Sequence, residues 1–280
     1  MHLCSSSETR RLGSNGDRWD GGSVHVEGLV VGEGQPMAGA TVAGSAVVKF
    51  RRALDGQLEE MAWDDVTGDR LSSAAPWRTF RWHANQQHYS GAYWSATERG
   101  HVIYESRLEL AHLLFADFDD EVNHIVAQPF LITMTVDGRV RKHVPDYLLI
   151  TDTGLRILDV KPRDRLSKPK VRFTFGWTRA LVEGRGWRFD VGSEPPTVEL
   201  DNVRFLSGFR RDWLFDPTLI GELQAHDLHG QTIADACRLF PDHPAPLVRS
   251  AIFHLLWRRQ LLVDLTRPLR PSRILTRREG

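Results

Sequence analysis

The sequence predicts an α/β protein in which a helix, three strands, a second helix and a fourth strand form an αβββαβ core, followed by a C-terminal domain of three helices. Three observations predict this architecture. Apolar residues recur with helical spacing at 105–118 and 168–183. Between these segments lie short runs rich in Val, Ile and Leu, two of them joined by a Gly-containing turn at 151–154. Three further helical patterns follow residue 215.

The first hundred residues form two segments before the core. Residues 1–45 are rich in Gly, Ser and Ala without periodicity, so we expect them to be disordered or an overlong start of the chain. Residues 46–104 hold a hairpin, 47–52 and 58–63 around Asp55-Gly56, and an aromatic-rich entrance segment. Aromatic and Arg side chains at 77–97 suit base stacking, although packing on the domain is the simpler explanation. His83 and His88 are too far apart to chelate a metal together.

The predicted core occupies residues 105–212. Its first helix carries an apolar arc, and Glu109 lies off that arc on the same side as Glu105 and His112. A carboxylate at the edge of an apolar face can supply a metal ligand. The strands are predicted at 122–136, where Pro129 marks an edge or bulge, and at 140–150, 155–161 and 187–191.

The hairpin at 144–161 brings candidate catalytic groups together. Asp146 near the start of one strand faces Asp159 and Lys161 near the end of the next, and residues two apart share a strand face. Carboxylate oxygens suit Mg²⁺, and a lysine can stabilise charge or help to activate water. The hairpin therefore predicts the chemistry of a metal-dependent nuclease, although an apolar hairpin with charged ends is often only structural.

The 280-residue chain is balanced overall but not locally. Its net charge is zero, yet residues 139–188 hold thirteen Lys or Arg against five acids, and residues 249–280 hold eight Arg against two acids. Basic surfaces of this kind suit a phosphate backbone. The two cysteines exclude a disulfide framework and a Cys-rich zinc site, and there is no apolar run of membrane-spanning length or signal peptide. We therefore expect a cytoplasmic protein that does not enter membranes.

Residues 213–280 are expected to form a winged-helix-like unit. The three helices are predicted at 217–226, 232–240, with Thr232 as its cap, and 245–260, and a short strand at 261–265. The third helix would present Arg249, Arg258 and Arg259 to DNA, with Leu247, Ile252, Leu255 and Leu256 in the core. His226 and His229 are interpreted as surface residues.

Five blocks of sequence together resemble the TnsA family of heteromeric transposase endonuclease subunits, within the PD-(D/E)xK nuclease superfamily. The blocks are YESRLE (104–109), DFD (117–119), AQPF (127–130), HVPDY (143–147) and DVKP (159–162). The similarity covers roughly residues 77–211. It implies a restriction-endonuclease-like core with Glu109, Asp146 and Asp159 as metal ligands, helped by the Val160 carbonyl, and Lys161 as the catalytic lysine. Asp159 stands where many relatives carry Gln or Glu.

The same resemblance implies a function and partners. Such subunits cut the non-transferred strand of double-stranded DNA at transposon ends with Mg²⁺, for which Mn²⁺ can substitute. A separate DDE transposase cuts and joins the other strand, and an AAA+ ATPase regulates both. The family's C-terminal domain contacts the ATPase, so protein binding and DNA binding by residues 213–280 stay open. A stand-alone restriction or repair nuclease and a non-catalytic transposition adaptor are the alternatives, and one or two metals are compatible with the sequence.

Overall fold

The computed structural model of the protein describes residues 42–78 and 89–277. The expectations for residues 1–41, and those for Phe80, Trp82, His83 and His88, lie outside that part of the chain. The first described hairpin, β1 (Val42–Arg52) and β2 (Leu58–Ala62), is confirmed, with Gly56 at a φ of 70° in its turn. Its first strand begins earlier than expected, so residues 42–45 belong to β1 and the expectation of disorder was wrong for them. Trp63, expected at the end of the second strand, instead begins a 3-10 turn. A short helix, α1 (Gly68–Ser72), and β3 (Ala74–Ala75) follow.

The remaining elements before residue 193 run in the following order. They are β4 (Gly91–Ser95), β5 (Gly100–Tyr104), α2 (Arg107–Phe118), β6 (Val122–Ala127), β7 (Leu131–Val136), β8 (Arg139–His143), β9 (Tyr147–Thr151), β10 (Gly154–Val160), α3 (Arg163–Leu166), α4 (Pro169–Glu183) and β11 (Arg188–Gly192). Both predicted core helices are present, and the hairpin at 151–154 pairs β9 with β10 as expected. The fold is mixed α/β.

Two of the predicted strands were wrong as single strands, because each breaks at a proline and changes sheet. The strand expected at 122–136 divides into β6 and β7 at Gln128 and Pro129, where Gln128 adopts a φ of 47°. The strand expected at 140–150 divides into β8 and β9 around Pro145. A proline has no N–H to donate to a strand ladder, so pairing stops at both points.

Because of these breaks, each of the two predicted strands contributes one half to each of two sheets. One has the order β2-β1-β7-β8, with β3 on β1, and the other has the order β11-β10-β9-β6, in which β10 and β11 are parallel. The second sheet is covered on both faces. Leu148 and Ile157 belong to the apolar cluster under the first sheet and α4, whereas Leu149 and Leu158 belong to the cluster around α2. Burial on both faces explains why these strands read as continuous apolar runs.

The C-terminal elements are α5 (Thr197–Leu206), α6 (Pro217–Ala225), α7 (Ile233–Arg238) and α8 (Ala245–Trp257). Thr232 caps α7 as predicted, accepting a hydrogen bond from the Asp235 N–H. The strand expected at 261–265 is reduced to a single antiparallel bridge between Leu262 and Thr276. Leu247 was wrongly placed in the core, since it lies in the first turn of α8 and is 58% exposed.

Helix α2 is the point at which the core and the C-terminal helices meet. We expected one apolar arc with His112 off it, but every residue from 111 to 118, including His112, is buried. The helix packs on β5 and β6 and also against α5, and its Phe118 ring lies 5.3 Å from that of Trp257 in α8. Buried residues of α2, α6, α7 and α8 belong to one apolar cluster. No helix of the described residues is long and apolar enough to cross a bilayer.

Candidate active site

The sheet change at Pro145 brings the predicted carboxylates together. His143 ends β8 in one sheet, and Asp146 stands immediately before β9 in the other. Asp159 lies in β10, and Lys161 directly follows it, held by a hydrogen bond from its N–H to the Gly192 carbonyl (2.8 Å). The four sequence-predicted side chains, together with Val160, line one cavity of about 430 Å³. The structure thus brings Asp146, Asp159 and Lys161 together, as the hairpin spacing predicted, and places Glu109, which the resemblance named as a metal ligand, in the same cavity.

Asp146 lies in a negatively charged environment. Its Oδ2 accepts a hydrogen bond from the Val160 N–H at 2.7 Å. Burial raises the pKa of the Asp146 carboxyl well above its usual range, and the negative charges of Asp159 and Glu109 raise it further. The Val160 N–H and the charge of Lys161 act in the opposite direction but do not reverse the shift. Ionised Asp146 is therefore costly in the metal-free protein.

Asp159 is held on both of its oxygens. The side chain is only 2% exposed. Its Oδ1 accepts a hydrogen bond from the Asp146 N–H at 3.3 Å, and its Oδ2 lies 2.7 Å from Nε2 of His143. Residues 143 and 146 thus contact opposite oxygens of one carboxylate, and the two aspartates are direct neighbours.

Glu109, a candidate metal ligand, also has a structural role at the start of α2. Its Oε1 accepts a hydrogen bond from the Ser106 hydroxyl (2.9 Å) and its Oε2 from the Glu105 N–H (2.7 Å), while the Ser106 hydroxyl accepts from the Glu109 N–H. This reciprocal pattern resembles a capping box at the start of α2, except that Glu109 accepts from the N–H of Glu105, the residue before the Ser106 cap. Burial raises the pKa of Glu109, and Lys161 opposes that shift. Glu105 also lines the cavity and lies 3.3 Å from Nη1 of Arg78.

Sequence reasoning gave no role to two residues that organise this cavity, His143 and Gln128. Gln128 is buried; its N–H donates to the Asp146 carbonyl (2.8 Å), and its own carbonyl and side-chain oxygen accept from the N–H groups of Trp77 and Arg78. Gln128 therefore connects Trp77 and Arg78, which line the cavity, to Asp146. The role of Gln128 depends on its positive φ, and the role of His143 depends on the change of sheet at Pro145. The sequence signals were a proline one or two residues away and the AQPF and HVPDY blocks, neither of which indicates these contacts.

The donor set suits a hard divalent cation, although it is not assembled as a finished ligand shell. Across the described ranges 42–78 and 89–277, no three His, Cys, Asp or Glu side chains form a group ready to hold a metal ion. Asp146 and Asp159 nevertheless place carboxylate oxygens side by side in a polar cavity. Burial and the neighbouring carboxylates raise the pKa of Asp146, so a cation would favour its ionised form. Oxygen donors of this kind fit Mg²⁺ or Mn²⁺.

The arginines expected on a recognition helix are only partly available. Arg249 is exposed on α8. Arg258 lies 3.9 Å from Asp212, and Nε of Arg259 lies 4.0 Å from Asp120 with 13% of its side chain exposed. His226 and His229 are exposed, as interpreted from the sequence. Most residues in the last two turns of α8 are buried, whereas residues 245–247 and Arg249 near its start are exposed.

No protein-family model matches the chain, and no curated protein matches it at a significant level.

Proposed function

We propose that this protein is a metal-dependent DNA endonuclease with a restriction-endonuclease-like core. One observation carries the proposal: Asp146 and Asp159 lie side by side in one cavity with Lys161, at the end of the β9–β10 hairpin. The sheet β11-β10-β9-β6 supports the assignment, because with α2 and α4 it has the elements expected of an αβββαβ core once β7 and β8, which pair in the other sheet, and the short helix α3 are set aside.

The chain's own residues suggest how the reaction is supported. Asp146 and Asp159 would hold Mg²⁺, with Glu109 and the Val160 carbonyl as further candidate ligands. When bound, Mg²⁺ supplies a Lewis acid for a phosphate oxygen and lowers the pKa of a water molecule. Lys161, whose positive charge acts on both Asp146 and Glu109, stabilises the negative charge that develops on the scissile phosphate.

The substrate and partners rest on the sequence resemblance. We propose double-stranded DNA at transposon ends as substrate, cut on the non-transferred strand, with a DDE transposase and an AAA+ ATPase as partners. The basic segments beside the site support DNA as the ligand class: α3 and the start of α4 present the exposed residues Arg163, Arg165, Lys168, Lys170 and Arg172.

The proposal is tested by cleavage of DNA from the ends of the protein's own transposon, with the cuts in the two strands measured separately. The wild-type protein, with and without its transposase and ATPase, is compared with Asp146→Ala and Lys161→Ala in Mg²⁺ or Mn²⁺. We expect cleavage to be lost in both variants while DNA affinity is kept. Asp152→Ala is the matched control, because Asp152 is an exposed carboxylate at the opposite end of the same hairpin.

Each outcome has a distinct meaning. Cleavage of the non-transferred strand that depends on the partners supports the transposase subunit. Cleavage without partners favours a stand-alone restriction or repair nuclease. Retained cleavage in Asp146→Ala or Lys161→Ala overturns the assignment of the site, and a wild-type protein that never cuts leaves the adaptor as the better account.

A further inference from the structure

We propose that His143 is a positioning residue for this site: its ring fixes the Asp159 carboxylate so that this side chain can serve as a metal ligand beside Asp146. The inference rests on the proposed function. It begins from the 2.7 Å contact between His143 Nε2 and Asp159 Oδ2, in a pair whose side chains are 16% and 2% exposed. Hydrogen bonds to an ionised acceptor are among the stronger ones.

The imidazole is itself held in place. It meets the Trp177 ring edge-on, with centroids 6.3 Å apart at 85°, and the Phe175 ring at 6.4 Å and 68°, both from α4. Its backbone is paired with Ile132 at the end of the β7–β8 ladder. A side chain restrained by packing and by strand pairing loses little entropy when it orients a neighbour.

Residues 143 and 146 together determine the orientation of Asp159. His143 contacts Oδ2, and the Asp146 N–H contacts Oδ1. An ionised carboxylate offers about four lone-pair sites, so two contacts still leave capacity for a cation. Each oxygen then keeps a defined free direction.

Asp159 has particular need of this restraint. An aspartate has a single methylene between Cα and its carboxylate, so its reach to a cation depends strongly on its orientation. Partners that orient a metal ligand in this way typically account for about 10- to 100-fold in metal affinity or activity.

An ordinary buried ion pair would stabilise the fold without affecting metal binding, and the test separates the two roles. Binding of Mn²⁺ to the full-length protein is measured by electron paramagnetic resonance, and the half-saturating Mn²⁺ concentration for DNA cleavage is measured in parallel. The variants are His143→Leu, which keeps apolar packing but has no donor, and His143→Gln, which keeps an N–H near the position of Nε2. His124→Leu is the control, because His124 pairs with Glu98 at 2.6 Å outside this cavity.

We expect His143→Leu to weaken Mn²⁺ binding by about 10- to 100-fold and to raise the half-saturating Mn²⁺ concentration more than it lowers kcat. His143→Gln should restore most of the affinity, and His124→Leu should leave it unchanged. If His143→Leu lacks the wild-type far-UV circular dichroism, His143→Asn takes its place, since its shorter amide does not reach Asp159.

Two failures are distinguishable. Wild-type affinity for Mn²⁺ in the donor-free variant overturns the role of His143 while leaving the proposed nuclease intact. A wild-type protein that binds no Mn²⁺ overturns the proposed function, and the role of His143 with it.

Discussion

The two ends of helix α2 hold carboxylates in opposite circumstances. Near its C-terminal end, Asp117 is 5% exposed and accepts four hydrogen bonds, from the hydroxyls of Tyr93 (2.7 Å) and Ser95 (2.5 Å) and from the N–H groups of Ala96 (3.0 Å) and Thr97 (2.8 Å). Near its N-terminal end, Glu109 shares a cavity with Asp146 and Asp159. The first environment supplies donors to one carboxylate, whereas the second brings three carboxylates together.

This difference separates a structural carboxylate from a candidate catalytic one. Asp117 closes the β4–β5 hairpin, and its charge is satisfied by protein donors. At the other end, the neighbouring charges of Asp159 and Glu109 add to burial in raising the pKa of Asp146, and Lys161 offsets only part of that effect. A buried acid that the protein does not fully neutralise costs stability unless a ligand compensates it. A bound divalent cation would remove that cost.

The largest effect on stability should follow from Asp117→Ala. The substitution leaves two hydroxyls and two N–H groups without their buried acceptor, and we expect a loss of about 3 kcal/mol or more in the free energy of unfolding. Thermal or chemical denaturation measures this loss, and cleavage per folded molecule should be unchanged. Asp152→Ala, which removes an exposed carboxylate, should stay within about 0.5 kcal/mol of wild type. Equal losses in the two variants would contradict the structural role of Asp117.

The next effect should come from the cation. At a Mg²⁺ concentration about 100 times its Kd, binding to the folded state alone stabilises a protein by about 2.7 kcal/mol. We expect this increase in wild type and in Asp152→Ala, but not in Asp146→Asn. Differential scanning calorimetry across a Mg²⁺ titration measures it. An increase of the same size in Asp146→Asn would place the stabilising cation elsewhere.

Without metal, Asp146→Asn should raise the free energy of unfolding, whereas Asp117→Ala lowers it, and the change should be smaller. Because the folded-state pKa of Asp146 is above its unfolded value, this group favours folding at low pH, and that contribution is lost as the pH rises above the usual range of an aspartate. The amide removes this pH dependence, so the variant should be more stable than wild type near neutral pH by about 1 kcal/mol. Unfolding curves at pH 5 and pH 8 should show the gap widening with pH, and a constant gap would contradict the shift.

The sequence contained much of the fold and the identities of the candidate site residues, but not how the site is assembled. Apolar periodicity located α2, α4 and the β9–β10 hairpin, since these depend on local pattern. It missed the exchange of strands between two sheets, because Pro129 and Pro145 indicate an interruption without showing where the chain continues. His143 owes its position beside Asp159 to that exchange, so its role was not predictable from spacing.

Helix α2 shows the same limit in its packing. An apolar arc predicts one buried side, yet the second half of the helix is enclosed because α5, which the sequence reasoning did not predict, covers the other side. Long-range packing of this kind is not encoded in the spacing of residues within one helix.

The smallest effect should arise near the C-terminal end of α2, where Glu98 of the β4–β5 turn lies 2.6 Å from His124. The hydrogen bond to Glu98 is the main cause that raises the pKa of His124 above its usual value. A folded-state pKa above the unfolded one means that the pair stabilises the fold fully below about pH 6.5, and that this contribution is lost as the pH rises through the folded-state pKa.

His124 is partly exposed, so screening should limit this contribution to about 0.5 kcal/mol. It is measured as the difference in free energy of unfolding between wild type and His124→Gln at pH 6 and at pH 9, in an Asp146→Asn background that removes the pH dependence of Asp146. The difference should be larger at pH 6 and should lose its pH dependence when Glu98 is replaced by Gln. A difference independent of pH would mean that the pair acts as a neutral hydrogen bond. In that case the stability contributed at the carboxylate cavity would depend on pH, whereas that contributed near the C-terminal end of α2 would not.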